Sequence, residues 1–296
     1  MAVPGLRPFL ASALLLSSFA ACEGDVLVGE FEPESGANGG AGGTAGTLSN
    51  TTSGGGSAGA SECTSRECET GKVYACGNCK DDDGDGAVDS EDPDCLGPCQ
   101  NDEASYYPNI PGQNGGKCAR DCYFDKGAGA GNDRCQWDQH CDALEPDPAC
   151  PFDPETSVGS SGLSCEEAAS SASEACKDTC LPLVPNGCDC FGCCEIEGAP
   201  NPVWIGSVVD GMGTCSHETL GDPEKCRPCT PVASCFNLCE ECEICVGRSE
   251  LPASCGDGGE TPQTCPGSTA GCGLTGQSDC SVDEYCITGC CILTIK

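Results

Sequence analysis

The sequence predicts a small disulfide-rich protein, mostly irregular with short helices and strands, built as several stapled modules after a disordered tether. Three observations predict it. Cysteine fills 33 of 296 positions, about 11% of the chain and past the roughly 8–10% that marks a disulfide scaffold. Leu, Ile, Val and Phe together supply only 44 residues, about 15%, too few for an ordinary oily core. Acids number 47 against 13 Lys and Arg, a net charge of −34. Without crosslinks such a composition predicts disorder, so covalent staples made in an oxidising compartment must hold the fold.

The acidity also limits partners. Phosphate backbones and anionic lipid headgroups are repelled, which excludes nucleic acid and side-chain docking on membranes. Cations and basic protein or matrix surfaces remain as partners.

Residues 1–22 join Arg7 to an apolar run at 9–21, too short for a membrane span and of the form of a secretory signal. Phe19-Ala20-Ala21-Cys22 resembles the bacterial lipobox, which implies that Cys22 becomes a lipid-bearing N-terminus. The chain is then an exported lipoprotein of the outer membrane or cell surface, touching the membrane only through its anchor. The other reading is cleavage after Ala20 or Ala21 and release as a soluble protein. Setting Cys22 aside leaves 32 cysteines, an even number able to form sixteen disulfides. Residues 23–61 are a linker, and its Gly, Ala, Ser and Thr from 35 onward make a flexible tether.

The most informative stretch is 76–99, C-G-N-C-K-D-D-D-G-D-G-A-V-D-S-E-D-P-D-C-L-G-P-C. Counting Asp81 as position 1 puts Asp83 at 3, Asp85 at 5, Gly86 at 6, Ala87 at 7, Asp89 at 9 and Asp92 at 12. Calcium takes six to eight hard oxygens, and carboxylates on alternate residues wrap it from one side. Gly86 permits the sharp turn, the Ala87 carbonyl adds a ligand, and Val88 is expected to point inward as an anchor. The stretch resembles an EF-hand loop with Asp for Glu at its last position. Its cysteine and proline flanks do not read as helices, so it is more similar to the Asp-rich calcium loops of thrombospondin type 3 repeats. It also resembles D-x-D-x-D-G metal-binding motifs of secreted bacterial proteins. These resemblances imply a calcium site at Asp81, Asp83, Asp85, Ala87, Asp89 and Asp92, framed by Cys79 and Cys95. Asp reaches less far than Glu, which suits weak binding at about 10⁻⁴ to 10⁻³ M. The competing reading is a solvated acidic turn.

Three cysteine-rich modules come next, at 62–155, 156–250 and 251–296. In the first, Asp121, Asp125, Asn132 and Asp133 surround a Gly-rich turn. Their spacing fits no metal template, so a structural turn is expected, with a second cation site as the other reading. Tyr106, Tyr107, Tyr123, Phe124 and Trp137 are expected to form a small core on disulfides. In the second, Ser164 and Glu167 form a capping box, and 164–180 reads as one helix. Cys165, Cys176 and Cys180 would staple that helix to the chain beyond it. Residues 202–209 read as the best strand. The modules hold 11, 15 and 6 cysteines, so at least one bridge must join the first two, giving one stapled rod.

Cys235, Cys239 and Cys242 have the spacing of the radical SAM iron–sulfur motif, and Cys226, Cys229, Cys242 and Cys245 resemble a zinc ribbon. Both metals need reduced thiolates, so disulfides are expected instead. The ending at 279–293 resembles colipase-like and inhibitor-knot modules. His140 and His217 are the only histidines, they lie in different modules, and no nucleophile elbow, metalloprotease pair or phosphate loop appears. The expectation is not an enzyme but a calcium-binding surface protein with a structural or adhesion-type role. The alternative is a secreted inhibitor or toxin-like effector acting through the last module.

Overall fold

Sixteen disulfides organise the chain, and they pair all thirty-two cysteines from Cys63 to Cys291. The computed structural model describes residues 63–68, 71–110, 117–125, 133–159, 162–248, 250–255, 265, 269–273, 277, 280–281 and 283–293. The expected signal segment, Cys22, the expected tether and Asn132 lie outside these residues. Every described residue belongs to one compact unit, Ala58–Lys296. The fold is thus the disulfide-rich class expected, and sixteen crosslinks in one unit mark a protein made for an extracellular or exported, oxidising setting.

Secondary structure is sparse. Strands β1 (Ala119–Arg120) and β2 (Trp137–Asp138) pair, as do β3 (Ser157–Val158) and β4 (Leu163–Ser164). Helices α1 (Cys165–Ser170) and α2 (Glu174–Thr179) follow. Next come β5 (Cys193–Cys194) with β6 (Val203–Trp204), and β7 (Val208–Val209) with β8 (Met212–Gly213). A hairpin of β9 (Glu284–Ile287) and β10 (Cys290–Leu293) ends the described chain. Among the described residues, all five sheets are two-stranded and antiparallel, a size that is at best marginal in water without support.

The capping box at Ser164 and Glu167 is present, but the single helix expected over 164–180 is two. Ser171 leaves the helical region at φ −148°, and Ser173 caps α2 by accepting from the Cys176 amide. Serine side chains compete for backbone partners in this way, and three of them in four residues end one helix and start another. The staples also run the other way from expectation. Cys165, Cys176 and Cys180 pair with Cys141, Cys135 and Cys122, all earlier in the chain. These three bridges join the first two cysteine groups, an odd number as parity demands. The expected strand at 202–209 is likewise broken, because Ser207 turns back to the Trp204 carbonyl through both its amide and its hydroxyl.

The main core contains Tyr106, Trp137, Val158, Phe191, Ile205, Leu220 and Val232, but ten of its twenty-two buried residues are cysteines. Sulfur therefore supplies much of the apolar contact that larger side chains supply elsewhere. The expected aromatic cluster is part of this core rather than a separate one. Trp137 faces Phe191 of the second module at 6.2 Å, and Tyr123 meets Phe124 edge-on at 5.3 Å.

A buried carboxylate fixes the cysteine-dense turn at 188–194. Asp189 is 1% exposed. It accepts from the Phe191 and Cys193 amides at 2.9 Å and from the Val232 amide at 2.8 Å. Gly192 sits in this turn at φ +86°, where a Cβ would stand 2.9 Å from the Tyr123 ring. Only glycine satisfies both conditions.

Hydrogen bonds and packing join the last cysteine group to both earlier ones. Arg66 donates to the Glu284 carbonyl at 2.8 Å. The Asn186 amide donates to the Thr288 hydroxyl at 3.1 Å, and the Asn186 side chain donates to the Ile244 carbonyl at 3.0 Å. Ile287 and Ile292 of the last hairpin pack with Leu96 and Leu183. The three disulfides of the last cysteine group, Cys265–Cys290, Cys272–Cys286 and Cys280–Cys291, all stay within it. Its attachment to the rest is therefore by packing and hydrogen bonds.

Replacing Asp189 by Ala strands three buried amides, at about 1–3 kcal/mol each. The expected result is a loss of about 3 kcal/mol or more and a melting midpoint roughly 6–12 °C lower. Asp189→Asn keeps two acceptor contacts but sets an NH₂ against the Val232 amide, and should also destabilise. Unchanged calorimetric midpoints in both variants would contradict the assignment.

Candidate metal centre

The acidic loop is held by crosslinks at its base. Cys76–Cys95 closes a ring that contains every sequence-predicted ligand, and Cys63–Cys79 and Cys68–Cys99 tie the same base to preceding chain. Cys79 and Cys95 thus frame the acids, each through its own partner.

Inside the ring, alternate acids bond forward to the backbone. Asp81 accepts from the Gly84 amide at 2.6 Å and the Gly86 amide at 3.1 Å. Asp83 accepts from the Asp85 amide at 3.0 Å, and Asp85 from the Ala87 amide at 2.7 Å. Gly86 has φ +101°, the conformation for which its glycine was singled out. Residues 81–86 are exposed and Ala87 is half-buried.

The second half of the loop turns inward. A 3₁₀ turn at Asp89–Glu91 precedes Asp92, which is 3% exposed. One Asp92 oxygen accepts from the Asp94 amide at 2.7 Å. The other, Oδ2, is buried without a hydrogen-bond partner. Burial first, then the nearby Asp85 and Asp83, push the Asp92 carboxyl up to about 6 against the single Asp94 amide that favours its charge. Asp94, 5% exposed, accepts from the His217 amide at 2.6 Å. Burial first, then Asp92, Asp83 and Asp85, raise it to about 7.

Of the sequence-predicted ligands, Asp83 and Asp85 lie near enough to Asp92 for their charge to raise its carboxyl, and Asp81 lies on the same loop. Asp89 sits at the base of the ring. Its two oxygens accept from the Asn78 and Cys79 amides at 3.1 and 2.9 Å, so its carboxylate braces the ring's entry. The inward anchor expected at Val88 is also taken by Asp89, which is buried while Val88 is half-buried. Asp89 adopts φ +49°, a left-handed conformation that Asp tolerates better than most residues.

Two acids at the site were not legible from spacing. Asp94 lies two places past the template's end. Glu103, 2% exposed, accepts from the Asp82 amide at 2.5 Å and the Asp89 amide at 2.9 Å. An oxygen of Glu103 and one of Asp92 lie within 4.8 Å of each other and of the Cys95 sulfur. That sulfur is in a disulfide, so only the carboxylates there could ligate a metal. The neighbours that shift Asp92 and Asp94 by charge are all acids. Hard oxygens at this density suit a hard cation.

Cysteine clusters converge elsewhere, as at Cys135, Cys176 and Cys190, but as disulfides they offer no thiolate. The same holds for Cys226, Cys229, Cys235, Cys239, Cys242 and Cys245, whose bridges remove the iron–sulfur and zinc readings. Comparisons with known protein families, with curated proteins and with solved structures return no match.

The raised Asp92 and Asp94 carboxyls give the site a pH signature. Their folded-state values lie above the ordinary carboxylate range near 4, so the folded state keeps protons that the unfolded chain releases. Stability in the presence of EGTA should therefore fall as pH rises from about 5 to about 8. Asp92→Asn with Asp94→Asn should remove part of that slope. Thermal melts that stay level or rise across the interval, or that ignore both substitutions, would contradict this.

Proposed function

We propose that the chain is an exported, calcium-stabilised surface protein with a structural or adhesion-type role, anchored by lipid on Cys22. One observation carries the calcium reading. The Asp92 carboxylate is buried in a disulfide-closed ring, keeps one oxygen without a partner, and faces the Asp83 and Asp85 charges. A divalent cation satisfies that oxygen and neutralises the repulsion together. Weak binding, at about 10⁻⁴ to 10⁻³ M, is adequate outside the cell, where calcium is plentiful.

A non-enzymatic role fits the remaining chemistry. His140 lies against Asp138 at 2.7 Å on one turn, while His217 lies on another and is bonded through its amide to Asp94. A cleft of about 360 Å³ is lined by Tyr107, Arg120, Tyr123 and Trp204, with no histidine or serine among its residues. Partners are basic protein or matrix surfaces, attracted by a charge of −34.

Differential scanning calorimetry with saturating calcium or with EGTA tests the reading. Calcium at about one hundred times its Kd contributes about 2.7 kcal/mol, a rise of roughly 5–10 °C in midpoint for a chain of this size. Asp83→Ala with Asp85→Ala should reduce the rise. Identical profiles in calcium and EGTA would remove the calcium role. Mass spectrometry of the exported protein tests the anchor, since an unlipidated Cys22 or its absence from the mature chain contradicts it.

A further inference from the structure

A second group of acids, remote in sequence from the loop at 81–92, lies at the edge of the main core, with Asp133 buried and Asp121 and Asp125 half-buried, Asp121 beside the cleft that Lys117 and Arg120 also line. Asp133 is 3% exposed, and its Oδ2 is buried with no hydrogen-bond partner. Its other oxygen accepts from the Cys135 amide at 3.3 Å. Both oxygens of Asp121 are also buried without a partner of acceptable geometry. The Cys122 amide lies near enough to favour the charged form of Asp121 without being aligned to bond it. The Asp121 and Asp133 carboxylates approach to hydrogen-bonding range of each other, although both are acceptors when ionised. An oxygen of Asp125 lies within 4.8 Å of one on Asp133.

Three buried carboxylate oxygens without a donor are costly, because burial removes water and nothing among the described residues replaces it. Arg120 does not neutralise them. Its guanidinium pairs with Asp147 at 2.8 Å and lies 4.8 Å from the Trp204 ring centre. Burial first, then Asp133, raise the Asp121 carboxyl to about 6.

The grouping is built covalently. Asp121 precedes Cys122, which is bonded to Cys180, and Asp133 lies two residues before Cys135, which is bonded to Cys176. Cys176 and Cys180 are one helical turn apart, joined by a backbone bond of 2.8 Å. One turn at the end of α2 therefore clamps both acid-bearing segments in place. A shared turn of this kind makes like charges stay close, which free segments would avoid.

We propose that Asp121, Asp125 and Asp133 hold a second hard divalent cation, separate from the loop at 81–92. The donors are all carboxylate oxygens, and the sulfur beside them, that of Cys122, is bonded to Cys180. This chemistry suits calcium, magnesium or manganese.

The test uses the full mature chain carrying Asp83→Ala and Asp85→Ala, so that the first loop does not contribute. Equilibrium dialysis against calcium should show about one ion per chain, lost when Asp121→Asn and Asp133→Asn are added. No bound calcium in the first variant, or binding that survives the added amides, overturns the proposal whatever the first loop does. Native pairing of the amide variant is checked by the absence of reactive thiols. Should it fail to pair, Mn²⁺ added to the wild-type chain decides by NMR. Broadening at Tyr123, Phe124 and Cys135 supports the site, and broadening confined to residues 81–103, or none, overturns it.

Discussion

Covalent crosslinking is the constraint on which everything else in this protein rests. Among the described residues, five isolated two-stranded sheets and two helices of six residues each are below the size at which such elements stand alone. Each disulfide contributes about 2–4 kcal/mol, chiefly by restricting the unfolded chain. The bridge from Cys122 to Cys180 spans 58 residues and that from Cys190 to Cys235 spans 45, so these remove the most unfolded freedom. The same sulfurs then fill the core, with Ile205, Val158 and Tyr106 packed among them. Crosslink and core are one device here.

Buried acids are the second device, and their hydrogen bonds sort them by role. Asp189 has both oxygens on backbone amides, as does Asp89, and each fixes a turn. Asp142 holds the Thr230 amide and hydroxyl at 2.8 and 3.1 Å across 88 residues of chain. In a chain so poor in Lys and Arg, backbone N–H groups replace cationic partners. Asp92, Asp121 and Asp133 differ, since each keeps a buried oxygen that no donor among the described residues reaches. Satisfied acids shape the backbone. Those left with a bare oxygen are the ones to which a cation is suited.

This distinction explains what the sequence reveals and what it conceals. Composition is a bulk property, so cysteine count and acidity are enough to identify the class. Local rules also work where the partner is local: Gly86 takes the positive φ its position requires, and Ser164 caps α1 with Glu167. Disulfide pairing is not local, and nothing in 164–180 indicates that its cysteines reach back to Cys122, Cys135 and Cys141. The break at Ser171–Ser173 is hidden because the helical pattern continues across it. Asp89 occupies a ligand position in the template, and its bonds from the Asn78 and Cys79 amides are contacts that its spacing does not show. Glu103 belongs to the site through chain folding alone, so no spacing would find it.

A crosslinked frame alters what a cation does. In a small metal domain without staples, the ligands meet only when the ion joins them, and binding is folding. Here Cys76–Cys95 and the paired bridges to α2 already hold the acids together. The repulsion between Asp83, Asp85 and Asp92 is then stored in a chain that stays folded. A cation bound there, as proposed, would relieve that repulsion and tighten a structure already made. On the proposed reading, losing the cation would loosen the loop around Asp92 while the sulfur core keeps the remainder in place.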